Sequence, residues 1–236
     1  MSIADEAIRF AKQHKVEISR RLTDPVRYPP SEFPVTVFMA GSPGAGKTEF
    51  SKNLLGLVVT DVKNHHPVRI DSDDLRAEIP GYTGSNSSEV QGAVSILLRE
   101  MYERTLKNRQ TVIVDGTLAN EEKAKENIAR SLKRQREVFI FYVYQRPEVA
   151  WRFTVAREKI EGRNIPKDAF VEQFIRARET VIQIRKNFQE HVTIFLVKKD
   201  FQTNRVESVT LVHPTYHGLD VSLPGTYTKE QILNML

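Results

Sequence analysis

Two spacings of apolar residues alternate along the chain. In residues 3–22, Ile8, Ala11, Ile18 and Leu22 recur at helical intervals, and Ser2-Ile-Ala-Asp5 in front of them reads as a capping box. Prolines at 25, 29, 30 and 34 then exclude a continuous helix and predict an extended approach lying against the core. Residues 35–39 form a short β-branched run, so a buried strand, and a helix over 47–57 follows a glycine-rich turn. Residues 68–70, 111–114 and 138–143 repeat the strand pattern. Between them, helical spacing covers 88–108, where Ser88-x-x-Gln91 predicts a cap and Val90, Val94, Leu97, Leu98 and Met101 share a face. A basic helix is predicted over 120–134. Pro147 suits a first helical turn and Gly162 the end of the same helix. Phe170, Phe174, Val181 and Phe188 mark the core face of another, over 168–188. Residues 192–197 and 206–212 predict an edge hairpin, and a short helix closes the chain.

Strands alternating with helices predict an α/β fold, a three-layer αβα sandwich around a mostly parallel sheet with an antiparallel edge strand. One domain takes in residues 1–236: a helix and proline-rich approach (1–34), a core (35–188), and a C-terminal hairpin and tail (189–236). The first helix is expected to pack on the sheet. Ligands of such sheets bind outside the carboxyl ends of the strands. The glycine turn, Asp71 to Asp74 and Asp115 to Thr117 all follow strands, so they should gather along one edge.

Composition narrows this picture only modestly. Hydrophobic residues make up 40% and charged residues 28%, as in ordinary globular proteins. No apolar run approaches the roughly 20 residues that cross a bilayer, so no membrane association is expected. The N-terminus lacks the basic and apolar regions of a secretory signal. The absence of cysteine excludes disulfides and thiolate metal sites, and a cytoplasmic location is the expectation. The net charge of +5 suits an anionic ligand without choosing between nucleotide, nucleotide-sugar and nucleic acid.

The glycine turn is more specific. Gly41-Ser42-Pro43-Gly44-Ala45-Gly46-Lys47-Thr48 is a complete G-x-x-x-x-G-K-[ST] between a buried strand and a helix. In such a loop successive backbone N–H groups and the helix N-terminus cradle phosphates, the lysine (Lys47) reaches the β- and γ-phosphates, and the hydroxyl (Thr48) serves Mg²⁺. ATP or another nucleoside triphosphate, with Mg²⁺, is therefore the predicted cofactor.

The surrounding residues indicate where the phosphate goes. Asp115 is followed by Gly116 rather than the water-activating Glu of motor ATPases, and no Asn-Lys-x-Asp guanine reader occurs. Asp71-Ser-Asp73-Asp74 follows the second strand, where small P-loop kinases place a carboxylate that takes the acceptor's proton. Asp73 is the chosen base, while Asp71 or Asp74 would cap the next helix. Arg157 and Arg163 flank the end of the 147–162 helix and suit a lid that neutralises charge on the transferred group, although Arg157 also fits a solvated charged face. Tyr82 and the run from Gly84 to Ser88 lie where an acceptor would sit, or else form a polar loop ending in a cap at Ser88. His213 and His217 have helical metal-pair spacing, but Pro214 between them argues against a site.

In this order, the P-loop, the Asp-x-Asp, the Asp115-Gly-Thr117 and the Arg157…Gly162-Arg-x-Ile-Pro166 resemble the zeta toxin family over roughly residues 35–188. The helix before a proline-rich approach is similar too. The resemblance implies a P-loop kinase fold, like that of polynucleotide kinase and chloramphenicol phosphotransferase. It implies the toxin of a toxin–antitoxin pair, which phosphorylates a sugar hydroxyl of UDP-N-acetylglucosamine or a related nucleotide-sugar and is inhibited by a separate antitoxin protein. It also implies that Lys47 and Thr48 bind phosphate and Mg²⁺, that Asp73 is the base, that Arg157 and Arg163 clamp the triphosphate, and that Asp115 and Thr117 face the sugar. Two departures fall on the acceptor side: Asp115 stands where many members have Glu, and Ala119 where they often have Arg.

Two other readings stay open on the residues alone. One is a kinase for nucleosides or nucleic-acid 5′-hydroxyls, drawing on the basic stretch 123–136; its Ile128 and Leu132 make that stretch a solvated helix face, so nucleic acid is not the expected partner. The other is a P-loop NTPase acting as a switch or regulatory module.

Overall fold

The computed structural model describes residues 2–61, 66–162, 164–212 and 224–236. Arg163, His213 and His217 lie outside the described residues. The elements run α1 (Ile3–Leu22), β1 (Val35–Ala40), α2 (Lys47–Asp61), β2 (Val68–Asp71), α3 (Ser72–Arg76), α4 (Gln91–Lys107), β3 (Val112–Asp115), α5 (Glu121–Lys133), β4 (Glu137–Tyr144), α6 (Pro147–Glu161), α7 (Lys167–Phe188), β5 (Thr193–Lys199), β6 (Val206–Val212) and α8 (Lys229–Met235). The sheet order is β2-β3-β1-β4-β5-β6. The first five strands are parallel, and β6 pairs antiparallel with β5 at the edge.

The pleat of the central strands explains the layers. Alternate side chains of a strand face opposite ways. Val37 and Met39 of β1 join Val143 and Val197 under Phe50, Leu54 and Leu55 of α2. Phe38 and Ala40 point to the other face, with Ile140 and Tyr142 of β4, into the core shared by α4, α5 and α7. A strand buried on both faces reads as the near-continuous apolar run seen in the sequence. The carboxyl ends of β1, β2 and β3 lie side by side, which brings the three loops that follow them to one edge.

Two expectations about the first half of the chain need correction. Helix α1 begins with the expected capping box, both limbs formed. It packs on α4 rather than on the sheet, because the sheet face it would use is already covered by Val94, Leu97 and Met101 of α4. Gly92 makes room for it: a Cβ there would stand 3.1 Å from Ile8 Cδ1. Lys15 pairs with Glu100 at 3.1 Å, and Arg104 Nε donates to Ser19 Oγ at 3.1 Å. The proline-rich approach is then pinned by buried Gln110, whose Nε2 donates to the carbonyls of Thr23 (2.9 Å) and Tyr28 (2.6 Å). Ser88 is the second correction. Helix α4 starts at Gln91 with Val90 as its N-cap and no side-chain cap. The Gln91 Oε1 that would reach back accepts from Arg76 Nη2 at 2.5 Å instead. Asn86 and Ser87 turn inward and bond the backbone at Gly81, Thr83 and Gly84.

The basic stretch after α4 is largely engaged in the fold. Arg130 pairs with Glu103 and Glu126. Arg136 is 3% exposed, and burial pushes its pKa down to about 10. Its Nε donates to Thr36 Oγ1 (2.9 Å) and its Nη2 to the carbonyls of Val35 (2.9 Å) and Gln110 (2.5 Å). Arg136→Ala strands those carbonyls and opens a cavity, so it should cost about 3 kcal/mol. The measurement is a urea titration, with a lower midpoint at an unchanged slope.

Candidate functional site

The glycine loop joins β1 to α2 at the centre of the sheet edge. Its course depends on missing side chains. A Cβ on Gly41 (φ +133) would stand 2.3 Å from the Val143 carbonyl oxygen. One on Gly44 (φ +69) would stand 2.0 Å from that of Ala150 and 2.6 Å from Thr154 Oγ1. No L side chain fits at either place. The Gly41 N–H donates to the Thr117 carbonyl at 3.1 Å, which fastens the loop to the segment after β3. Lys47 Nζ donates to the Ser42 carbonyl at 2.6 Å, so the ammonium lies across the mouth of the loop.

A cleft of about 800 Å³ opens in front of the loop. Ser42 and Ala45, buried within the loop, and Gly41 belong to its backbone curl; Pro43, Gly44, Gly46, Lys47 and Thr48 line the cleft directly. Asp71, Asp73, Asp115, Thr117 and Arg157 line it as well. Of the described site residues expected from the sequence, Tyr82 alone stands apart: it packs against the core, with its hydroxyl 3.4 Å from Ser87 Oγ.

The floor of the cleft is a network with two members that the motifs did not point to, Arg69 and Ser51. Asp71 and Asp115 are register partners across β2 and β3, with only 9% and 3% of their side chains exposed. Arg69, two residues before Asp71 and on the same face, pairs with Asp71 and also reaches Asp115 (2.7 Å) and Asp74 (3.0 Å). Ser51, one turn into α2, donates to Asp115 Oδ2 at 2.8 Å and accepts from Arg69 Nε at 3.2 Å. Burial alone would lower the Arg69 pKa, but the three carboxylates outweigh it and hold it above its ordinary value. Burial raises Asp71, partly offset by the Asp73 backbone N–H and by Arg69. Asp71 is also the N-cap of α3, accepting the Asp73 N–H at 2.8 Å. The available signal was a lone arginine inside an otherwise buried strand, two residues before a motif aspartate and so on the same strand face.

Capping by Asp71 sets the place of Asp73. In the first turn of α3, Asp73 projects into the cleft with 28% of its side chain exposed. One oxygen pairs with Arg76 and the other lies 3.6 Å from Arg157 Nη2. Arg157 comes from α6, on the opposite wall. Thr117 is fixed by its own backbone, its Oγ1 accepting the Ala119 N–H at 3.4 Å. Among the described residues no cluster of three or more His, Cys, Asp or Glu is arranged to hold a metal ion. The oxygens of Thr48, Asp71 and Asp115 at the cleft suit a hard cation that arrives with a triphosphate and takes only one or two protein ligands.

A family model described as "Zeta toxin" matches residues 19–214. The chain belongs to the zeta toxin family. No curated protein matches the chain. Among solved structures, a chain of the PezAT chromosomal toxin–antitoxin system of Streptococcus pneumoniae superposes with a TM-score of 0.69 at 16% identity, covering 99% of this chain and 95% of that one. A chain of the AvrRxo1-ORF1:ORF2 complex solved with ATP gives a TM-score of 0.59 at 14% identity, covering 89% of this chain and 65% of that one. At these identities the superpositions establish a shared fold, the P-loop kinase-like architecture expected of the zeta toxin family.

Arg69→Met leaves buried carboxylates without their counter-charge and should cost about 3 kcal/mol at neutral pH. The sign with pH follows from Asp71. Its folded-state pKa, already above 3.8, rises further, so the folded state binds the proton more tightly than the unfolded one. Stability of the variant should therefore fall as pH climbs from 3.8 through the raised value, more steeply than in the parent. Urea titrations of both proteins across that range measure it.

Proposed function

We propose that the chain is an ATP-dependent kinase of zeta type that moves the γ-phosphate to a sugar hydroxyl of UDP-N-acetylglucosamine or a related nucleotide-sugar. The observation that carries this reading is Asp73: a carboxylate held in the mouth of a phosphate-binding cleft between guanidinium groups of opposite walls. Family membership supports a phosphotransferase. The neighbour solved with ATP supports ATP as donor. The toxin–antitoxin neighbour supports a protein antitoxin as partner and a role as the toxin of such a pair. We place the reaction in the cytoplasm, where both substrates would be met; among the described residues no helix is long and apolar enough to cross a membrane. The helix-and-approach, core and hairpin segments would act as one catalytic unit.

Residues 41–48 would curl around the β- and γ-phosphates, with the helix α2 N-terminus behind them. Lys47 would leave the Ser42 carbonyl for the stronger charge of the phosphates. Thr48 would hold Mg²⁺, which would supply charge neutralisation to the phosphates. Asp73 would orient the acceptor hydroxyl and receive its proton as the oxygen–phosphorus bond forms. Phosphoryl transfer passes through a loose transition state, so an ordinary carboxylate in the right place suffices. Arg157, and Arg163 beyond the helix end, would neutralise the moving group. Asp115 and Thr117 would meet the sugar, with Asp71 beside them; Tyr82 would line the acceptor side only if the loop before α4 turned it toward the cleft.

The test is to incubate purified protein with ATP, Mg²⁺ and a panel of UDP-sugars, nucleosides and 5′-hydroxyl oligonucleotides, and to weigh the products. A phosphate gained by a UDP-sugar is expected; ADP without any phosphorylated acceptor would refute the assignment. Asp73→Asn should keep nucleotide affinity and lose transfer by at least about 100-fold. Transfer at the parent rate would remove Asp73 from the chemistry.

A further inference from the structure

Behind the glycine loop sits a lysine that no motif accounts for. Lys199 ends β5, and its side chain is 1% exposed. Lysine is almost never so buried unless it is paired. It pairs with Glu49, 3.2 Å away and itself 56% exposed. Val197 of β5 packs under α2, and Lys199, two residues on, leaves the strand on the same face, so the ordinary pleat carries its ammonium inward against the loop. A Cβ on Gly46 (φ +88) would stand 3.0 Å from Lys199 Cε and 3.1 Å from Nζ. The ammonium thus backs the one stretch of chain built to face phosphates.

The turn that follows points a second group the same way. Asp200 Oδ1 gathers the N–H groups of Gln202 (3.1 Å) and Thr203 (2.6 Å), which shapes the turn and places Asn204 at φ +57. Buried Gln145, at the end of β4, fixes the Asn204 amide. Gln145 Oε1 accepts the Arg146 N–H at 2.9 Å, so its Nε2 is the donor to the Asp200 carbonyl (3.1 Å) and to Asn204 Oδ1 (3.0 Å). With the oxygen of Asn204 engaged, its Nδ2 faces the loop, 3.7 Å from the position of a Gly46 Cβ, and Asn204 lines the cleft. An amide nitrogen only donates, so it selects an acceptor.

We propose that Lys199 and Asn204 complete the nucleotide site: Lys199 as a positioning residue that backs the phosphate loop with a fixed positive charge, and Asn204 as a direct donor to a nucleotide oxygen or ring nitrogen. The inference rests on the P-loop being a nucleotide site and is independent of the acceptor. ADP binding to the full chain, followed by calorimetry, tests it, with Lys47→Ala as reference. Asn204→Ala should weaken ADP about tenfold, beside a small fall in melting temperature from the alanine at φ +57 and the acceptor lost to Gln145. Lys199→Met should weaken it by at least as much and flatten its salt dependence, because a charge near the phosphates is gone. A packing role alone would lower the melting temperature and leave the salt slope as it was. Should Asn204→Ala, or a folded Lys199→Met, bind ADP like the parent while Lys47→Ala does not, the role of that residue is overturned and the P-loop reading stands. Parent-like ADP binding by Lys47→Ala would overturn the P-loop reading itself.

Discussion

One guanidinium holds the floor of this site together. Arg69 joins the ends of β2 and β3 to α2, through Asp71, Asp115 and Ser51. Without a cation there, two buried carboxylates side by side would repel each other and resist burial, and the two strand ends could not sit flush beneath the phosphate loop. With it, Asp71 is free to cap α3, and the cap sets the direction in which Asp73 leaves the backbone. The position of the candidate base is thus three steps removed from its cause: a cation, a carboxylate, a helix start.

The same geometry gives the two acidic positions different characters. Asp115 is spoken for by Ser51 and Arg69 at the floor, while Asp73 stands higher, partly exposed and between walls. A carboxylate one methylene shorter than glutamate stays close to its own strand, which suits Asp115 to that floor.

How far the sequence revealed this follows the range of the interactions. The strands, the helix starts at Ser2 and Pro147, the αL end at Gly162 and the glycine loop were legible because each rests on neighbours in the chain. The five parallel strands were placed to within two residues because a strand covered on both faces announces itself as an apolar run, and β6 fell at its expected bounds. The partners of Arg69 were not legible, since Asp115 is far off in the chain and only register brings it close. Nor was the fate of Ser88, because a distant Arg76 claimed the glutamine that a capping box requires. Helix α1 had the periodicity of a core helix, and periodicity cannot say whether the surface it meets is a sheet or another helix. Nor was Lys199, two residues past the predicted strand end: its burial follows only because β5 continues to that residue and the pleat carries the side chain inward.

The contact between Gly44 and Ala150 has a consequence for motion. The phosphate loop and the first half of α6 touch backbone to backbone, with Thr154 bonded into the same place at 2.9 Å. Helix α6 is therefore braced against the loop and cannot swing toward it as a rigid arm. In the proposed reaction Arg157, two turns beyond the brace, would reach the phosphates by turning about its own side-chain bonds. Such rotations of an exposed side chain take picoseconds to nanoseconds, whereas hinged domain closures take microseconds to milliseconds. On the α6 side, then, the clock of the proposed reaction would be set by chemistry or by product departure, not by the closing of a door.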